Sequence, residues 1–154
     1  MACKKRPKIK AEPESKRKIN NIESPDKYYE KHPSWKFASR DKENWPLTKE
    51  NMGNKIWDKI IPRMERFETM TWNEIFQINK KKNHSLSDSE NWNTKAKKKL
   101  AEIKIEREAV LSLSISGKCR LYGYMDEAAF VILWYDDNHG DNSSCVYRSY
   151  KKHT

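Results

Sequence analysis

Two histidines and a set of cations near the C-terminus are the residues of this chain best suited to chemistry. A histidine side chain ordinarily changes protonation near neutrality, so either His139 or His153 could take a proton from a ribose 2′-hydroxyl or give one to a leaving 5′-oxygen. Arg120, Arg148, Lys151 and Lys152 can stabilise the charge that develops at phosphorus. Together they hold every group that metal-independent RNA cleavage needs, with Arg120, His139, Arg148, Lys151 and His153 as its catalytic candidates. The competing reading makes both histidines plain surface residues of a loop and a tail.

Other chemistries fit less well. Cys119, His139, Cys145 and His153 offer two zinc ligands of each kind, but without the close pair most zinc modules use. Asp136, Asp137 and Asp141 around His139 could hold Mg²⁺, or simply form turns after a strand. Nothing beside Cys145 in sequence activates it as a nucleophile. No phosphate-binding loop, dinucleotide fingerprint or serine elbow is present, and the chain has only four glycines. No metal and no small-molecule cofactor is expected.

These residues need a frame. Leu111, Leu113 and Ile115 alternate with Ser112, Ser114 and Ser116, which predicts a strand with one apolar and one wet face. Gly117-Lys118 is a turn. Cys119–Met125 alternates again, with Arg120, Tyr122 and Tyr124 on the wet side. Asp126-Glu127 turns the chain into Ala128–Tyr135, apolar on both faces and so a fully buried strand. On the wet face, tyrosines can stack on bases while cations neutralise phosphates. The RNA-binding candidates are therefore Tyr122, Tyr124, Tyr147, Tyr150, Lys118 and Lys152, with Lys97 and Lys98 from a helix.

Upstream, Ser34–Ser39 predicts a short strand carrying Trp35 and Phe37, and Arg40–Lys49 a polar connection. Ile56, Trp57, Ile60, Ile61, Met64 and Phe67 recur at helical spacing, with Pro62 expected to kink or split the helix. Thr71 and Glu74 form a capping-box signature for a second helix. Asn79–Asp88 reads as a lysine-rich loop. A third helix spans about Trp92 to Ile105, burying Trp92, Ala96, Leu100 and Ile103 and exposing a lysine row. The expected fold is α+β: a short N-terminal strand, then two to three helices on one face of a small antiparallel sheet built on the C-terminal three-stranded meander.

In element order, Ser34 to Thr154 resembles the RelE/YoeB/HigB group of bacterial toxins, small basic ribonucleases of which many cut messenger RNA on the ribosome. The resemblance is closest in Leu111–His139, which includes SISGKCRLYGYMDEAAFVILWYDDNH. The Lys-Lys-His-Thr ending is also similar to that of uncharacterised bacterial proteins. This chain departs from the group in its N-terminal arm, its long connection after the first strand and its acidic residues after the last. The resemblance implies a RelE-like fold, a cytoplasmic endoribonuclease of a toxin–antitoxin system, and an acidic antitoxin protein as partner. It assigns Arg120 to phosphate binding and His139 to the terminal imidazole, and it matches Tyr147, Tyr150 and His153 to a C-terminal His/Tyr pair.

Composition sets the outer bounds. The 154 residues carry 32 Lys and Arg against 22 Asp and Glu, a net charge of +10, which favours an anionic partner. Mean hydropathy is −1.10, yet six Trp and seven Tyr can build a core. Residues 1–32, with KKRPKIK and SKRK, read as a disordered basic arm, and 33–154 as one domain. No segment reads as a secretory signal or a membrane span. The alternatives to a nuclease are a non-catalytic basic RNA- or ribosome-binding module, and an interaction protein of a phage-defence or mobile-element system.

Overall fold

The computed structural model describes residues 27–78, 84–85, 92–137 and 145–147. Their fold is α+β around a five-stranded sheet in the order β1-β5-β4-β3-β2. The strands are β1 (Ser34–Lys36), β2 (His84–Ser85), β3 (Leu111–Ser116), β4 (Cys119–Asp126) and β5 (Ala129–Asp136). The expected meander is present as β3-β4-β5, with antiparallel neighbours.

The sheet as a whole is mixed. β1 lies parallel to β5, pairing Ser34, Trp35 and Lys36 with Ala129, Phe130 and Val131. Parallel pairing needs a long crossover, and the helices and meander between the two strands provide one. Past β1 the chain continues along the same edge. Asp41 N–H donates to the Leu133 carbonyl at 3.0 Å, and Tyr135 N–H donates to the Trp45 carbonyl at 3.0 Å. All eight β5 residues are consequently buried: Ala129–Tyr135, which belong to the expected apolar run, and Asp136 beyond it, while Ala128 is half-buried in the turn. Within Asn79–Asp88, expected to be loop, His84 and Ser85 pair with Ser112 and Leu111.

Local signals account for most element ends. Gly117, with φ 49°, opens the two-residue β3–β4 turn. The second turn is Glu127-Ala128, one residue later than expected, with Glu127 at φ 55°. Helix α1 (Lys49–Met52) is capped by Thr48, and Gly53 follows it at φ 54°. Ile56–Ile60 form a π-helical turn leading into α2 (Ile61–Glu68), with Pro62 in its first turn. Pro62 has no N–H and crowds the carbonyl four residues back; the wider turn before it relieves both problems. Trp57 leaves the expected stripe, because it follows Ile56 by roughly a quarter turn, and is 70% exposed. Thr71 caps α3 (Trp72–Ile78) as expected, its hydroxyl accepting from Glu74 N–H at 3.2 Å.

The first helices cover one face of the sheet. Met52, Ile60, Met64, Phe67, Trp72 and Ile75 pack there against Leu113, Leu121, Phe130 and Ile132. Tyr28 joins this cluster, and Asn73 N–H donates to the Tyr29 carbonyl. The domain therefore begins before Pro33, because two tyrosines of the expected arm find apolar partners.

Helix α4 (Thr94–Ile103) covers the opposite face, so the expectation of helices on one face only is corrected. Trp92, Ala96 and Leu100 pack there against Tyr122, Leu133 and Trp134. A bulge makes this second core possible. Tyr122 pairs with Trp134 but Gly123 with Ile132, so Leu133 is extra. Leu133 and Trp134 thereby turn to the same face, while Tyr135 returns to the first.

A cationic cleft as the candidate nucleic-acid interface

The face expected to be wet is covered. Tyr122 is 0% exposed and Arg120 8% exposed, and Ser112 and Ser114 are buried. Arg120 turns its guanidinium back onto its own hairpin, where Nη1 donates to the Gly117 carbonyl at 2.6 Å and the Cys119 carbonyl at 3.0 Å. Burial lowers its pKa, which the Tyr122 and Cys119 sites partly oppose. Burial also pushes the Tyr122 phenol well above its ordinary value. Tyr124 is half-buried and its pKa is raised mainly by burial, with a hydrogen bond to Ser39 opposing. Bases therefore cannot stack on Tyr122, and Arg120 is not presented to solvent phosphate. Alternation in a strand separates two faces; it does not say what lies on the second.

Some expected site residues do meet. β4 pairs Arg120 with Asp136, whose carboxylate accepts from Val146 N–H, and Tyr122, Val146 and Tyr147 share the second core, so Arg120, Tyr122 and Tyr147 lie at one end of the sheet. Lys118 is exposed on the β3–β4 turn. His139, Arg148, Tyr150, Lys151, Lys152 and His153 lie outside the described residues, as does Asp141.

Of the two metal alternatives, only Cys119, Cys145, Asp136 and Asp137 lie among the described residues. Asp136 accepts from Val146 N–H at 2.7 Å. Asp137 instead faces the first helices, accepting from Lys55 Nζ at 2.8 Å, Cys119 Sγ at 3.2 Å and the Tyr135 hydroxyl. Burial raises the Asp137 pKa, but these donors outweigh it and hold the carboxyl below its ordinary value. The three donors tie the start of the π-helical turn to the end of β5. Among the described residues no group of three or more His, Cys, Asp or Glu could hold a metal ion.

The arrangement that can do chemistry lies elsewhere. Residues Arg40–Asn44 and one flank of α4 enclose an open cleft of ≈ 460 Å³. Lys95, Lys98, Lys99 and Glu102 stand three and four residues apart, so they share that flank. Arg40 and Lys42 face them from the loop. Lys98 was expected at a phosphate-binding surface and lines this cleft. Lys97 is on the other flank of α4, near Leu100, Ile105 and Arg107. Arg40 and Lys42 escape a reading of the sequence, which shows only a polar connection there.

Asp41 holds the loop in this shape. It is 4% exposed, and its carboxylate accepts from Glu43 N–H at 2.9 Å, Asn44 N–H at 3.1 Å, the Asn44 amide at 3.2 Å and Trp134 Nε1–H at 3.1 Å. Burial pushes its pKa up, but these donors prevail and hold it below the ordinary value. Trp45, at the end of the loop, adopts a left-handed φ of 44° and packs edge-on against Trp134 at 5.9 Å. A bulky residue at that φ is strained, and strain of this kind persists where surrounding structure imposes it.

The charges on α4 are placed against its own stability. Its first turn has no acidic residue and includes Lys95, and its last turn has no basic one. A helix N-terminus carries partial positive charge and favours anions, by ~0.3–1 kcal/mol each. Lysines here are repelled by the helix unless an anion joins them.

No protein-family model, curated protein or solved structure matches this chain. Among the described residues no helix is long and apolar enough to cross a membrane.

Proposed function

We propose that this protein binds nucleic acid, RNA foremost, by taking backbone phosphates into the cleft between Arg40–Asn44 and α4. One observation carries the reading: Arg40, Lys42, Lys95, Lys98 and Lys99, from two separate parts of the chain, converge on one concavity. The net charge of +10 adds long-range attraction for a polyanion. Among the described residues no aromatic side chain lines the cleft, so contact with phosphate rather than base stacking is expected. Glu43 and Glu102 limit where along the cleft a phosphate can sit.

The test is a triple substitution, Lys95→Ala with Lys98→Ala and Lys99→Ala. None of the three is buried, so the fold should survive, as circular dichroism can verify. Binding of a fluorescein-labelled 12-nucleotide oligouridylate is followed by anisotropy across salt concentrations. Affinity at low salt should fall by roughly tenfold or more, and the slope of log K against log salt by about 2, for three lost phosphate contacts on a single strand. A variant that binds like the wild type would remove the cleft as the interface.

The second reading is an endoribonuclease acting on messenger RNA, a RelE-like toxin held by an acidic antitoxin protein. What supports it is the sequence alone: Arg148, Lys151, Lys152 and His153 follow directly on Tyr147, while Arg120 and Tyr122 are buried. Induced expression in a bacterium distinguishes the two. Growth arrest with RNA loss, absent in an Arg120→Ala/His139→Ala variant that still folds, would favour the nuclease; normal growth with intact RNA favours the binding protein.

A further inference from the structure

Helix α4 has a second hollow on its other flank. Leu100, Ala101 and Ile105 give it an apolar floor, and Lys97, Glu106 and Arg107 complete its lining, enclosing ≈ 360 Å³. The end of the helix builds it. Lys104, in the left-handed region at φ 57°, closes α4, and Ile105 N–H donates back to the Leu100 carbonyl at 3.0 Å. That bond folds the chain against the helix, with Ile105 buried. A short 3₁₀ turn, Arg107–Ala109, then leads towards β3.

This hollow differs from the cleft in kind. Among the described residues every side chain lining the cleft is polar or charged. Here an apolar floor lies beside two cations and a carboxylate. A single nucleotide presents the complement of all three. Its base can lay a face on Leu100, Ala101 and Ile105, and its phosphate can meet Lys97 and Arg107. Glu106 can accept a hydrogen bond from an amino group on the base edge.

The two concavities are neighbours across one helix. Lys95, Lys98, Lys99 and Glu102 line the cleft, and Lys97, Leu100 and Ala101 the hollow. At about 3.6 residues per turn, Thr94, Lys98 and Ala101 form the outer ridge between them, and all three are exposed. A helix with its side chains is ~10–12 Å across, so one strand can pass from the cleft to the hollow within a few nucleotides. Ala101 keeps the ridge low.

We infer that the hollow is a base-reading subsite, which takes an amino-bearing base such as cytosine and uses Glu106 to distinguish it from uracil. The inference rests on the RNA-binding reading above and adds a sequence preference to it. Uracil presents a carbonyl oxygen where cytosine presents its amino group, and a carboxylate set against that oxygen is repelled.

The experiment follows labelled 12-nucleotide oligocytidylate and oligouridylate by anisotropy on the wild type, Glu106→Ala and Lys97→Ala. Glu106 and Lys97 are only half-buried, and Glu106 makes no side-chain capping bond to the 3₁₀ turn, so both variants should fold. The wild-type comparison needs no variant at all. The wild type should favour oligocytidylate by roughly tenfold, the size of one hydrogen bond to a charged acceptor. Glu106→Ala should abolish that preference, chiefly by weakening oligocytidylate. Lys97→Ala should weaken both strands and lower the slope of log K against log salt by about 0.7, for one lost contact. A wild type that binds the two strands alike overturns the inference, as does a preference that survives Glu106→Ala or a slope unchanged in Lys97→Ala. The Lys95/Lys98/Lys99 variant separates this inference from the reading beneath it. If that variant binds undiminished, the cleft reading itself fails. If it is impaired for both strands while Glu106→Ala is silent, the base-reading subsite alone fails.

Discussion

Replacing Gly123 with alanine should destabilise the protein by ~3 kcal/mol or more, a large share of the ~5–15 kcal/mol that holds a typical domain folded. Gly123 lies where β4 pairs with β5 beside the extra residue Leu133. A Cβ there would land on the Val131 carbonyl oxygen and come within 2.9 Å of Phe130 Cζ. The first obstacle is backbone of the neighbouring strand, which can give way only by opening the β4–β5 ladder. The second is a fully buried ring in the first core. Overpacking of a side chain alone usually costs ~1–3 kcal/mol; backbone obstruction adds to it. The bulge would be lost or moved, and with it the rule that Leu133 and Trp134 share a face. Urea denaturation of Gly123→Ala beside the wild type measures the cost, and a loss under about 1 kcal/mol would contradict this account.

Asp41→Ala should cost ~2–4 kcal/mol and should also weaken oligouridylate binding, although Asp41 carries the wrong charge to attract RNA. Removing its carboxylate leaves four donors without their acceptor, including Trp134 Nε1–H in the second core. An orphaned buried donor costs ~1–3 kcal/mol by itself. The loop then loses the anchor that turns Arg40 and Lys42 towards α4. Asparagine is a poor substitute, because its amide group would set a donor against another donor. Urea denaturation and strand binding, measured on the same variant, should both change; a stable variant with normal binding would refute the positioning role.

The same carboxylate links stability to pH. Its folded pKa lies below the ordinary carboxylate value near 3.8, as does that of Asp137. A depressed pKa contributes stability above the unfolded value, and that contribution is lost as pH falls through the folded one. The wild type should therefore weaken as pH drops below about 4, and Asp41→Ala, which lacks one such group, should show a shallower dependence.

The local elements were legible in the sequence because their signals are local. Pro62 marks the join of two helical segments, Thr71 with Glu74 marks a start, and Gly117 marks a turn. Ala96 and Leu100 form the buried face of α4, Trp92 packs beside them from just before the helix, and the helix lysines are spread over the flanks. These features come from 3.6- and 2-residue periods and from the φ and N–H limits of single residues. Of the expected site, Lys98 lines the cleft and Lys97 does not; a lysine row on one helix does not say which flank faces a neighbour.

Which faces are covered, and what stands opposite what, was settled by packing in three dimensions. Ser112, Arg120 and Tyr122 alternate with apolar residues as a solvent-facing set would, yet α4 and Val146 close over that face. The Leu133 bulge shifts the alternation of β5 by one residue, which no repeating period in the sequence reveals. Arg40 and Lys42 come to stand opposite Lys95, Lys98 and Lys99 because their loop is tied to β5, through the Asp41 bond to Trp134, 93 positions away, and through Asp41 N–H to the Leu133 carbonyl. A period reports one element's sidedness; contacts between distant segments depend on how burial and hydrogen bonding are satisfied across the whole domain at once.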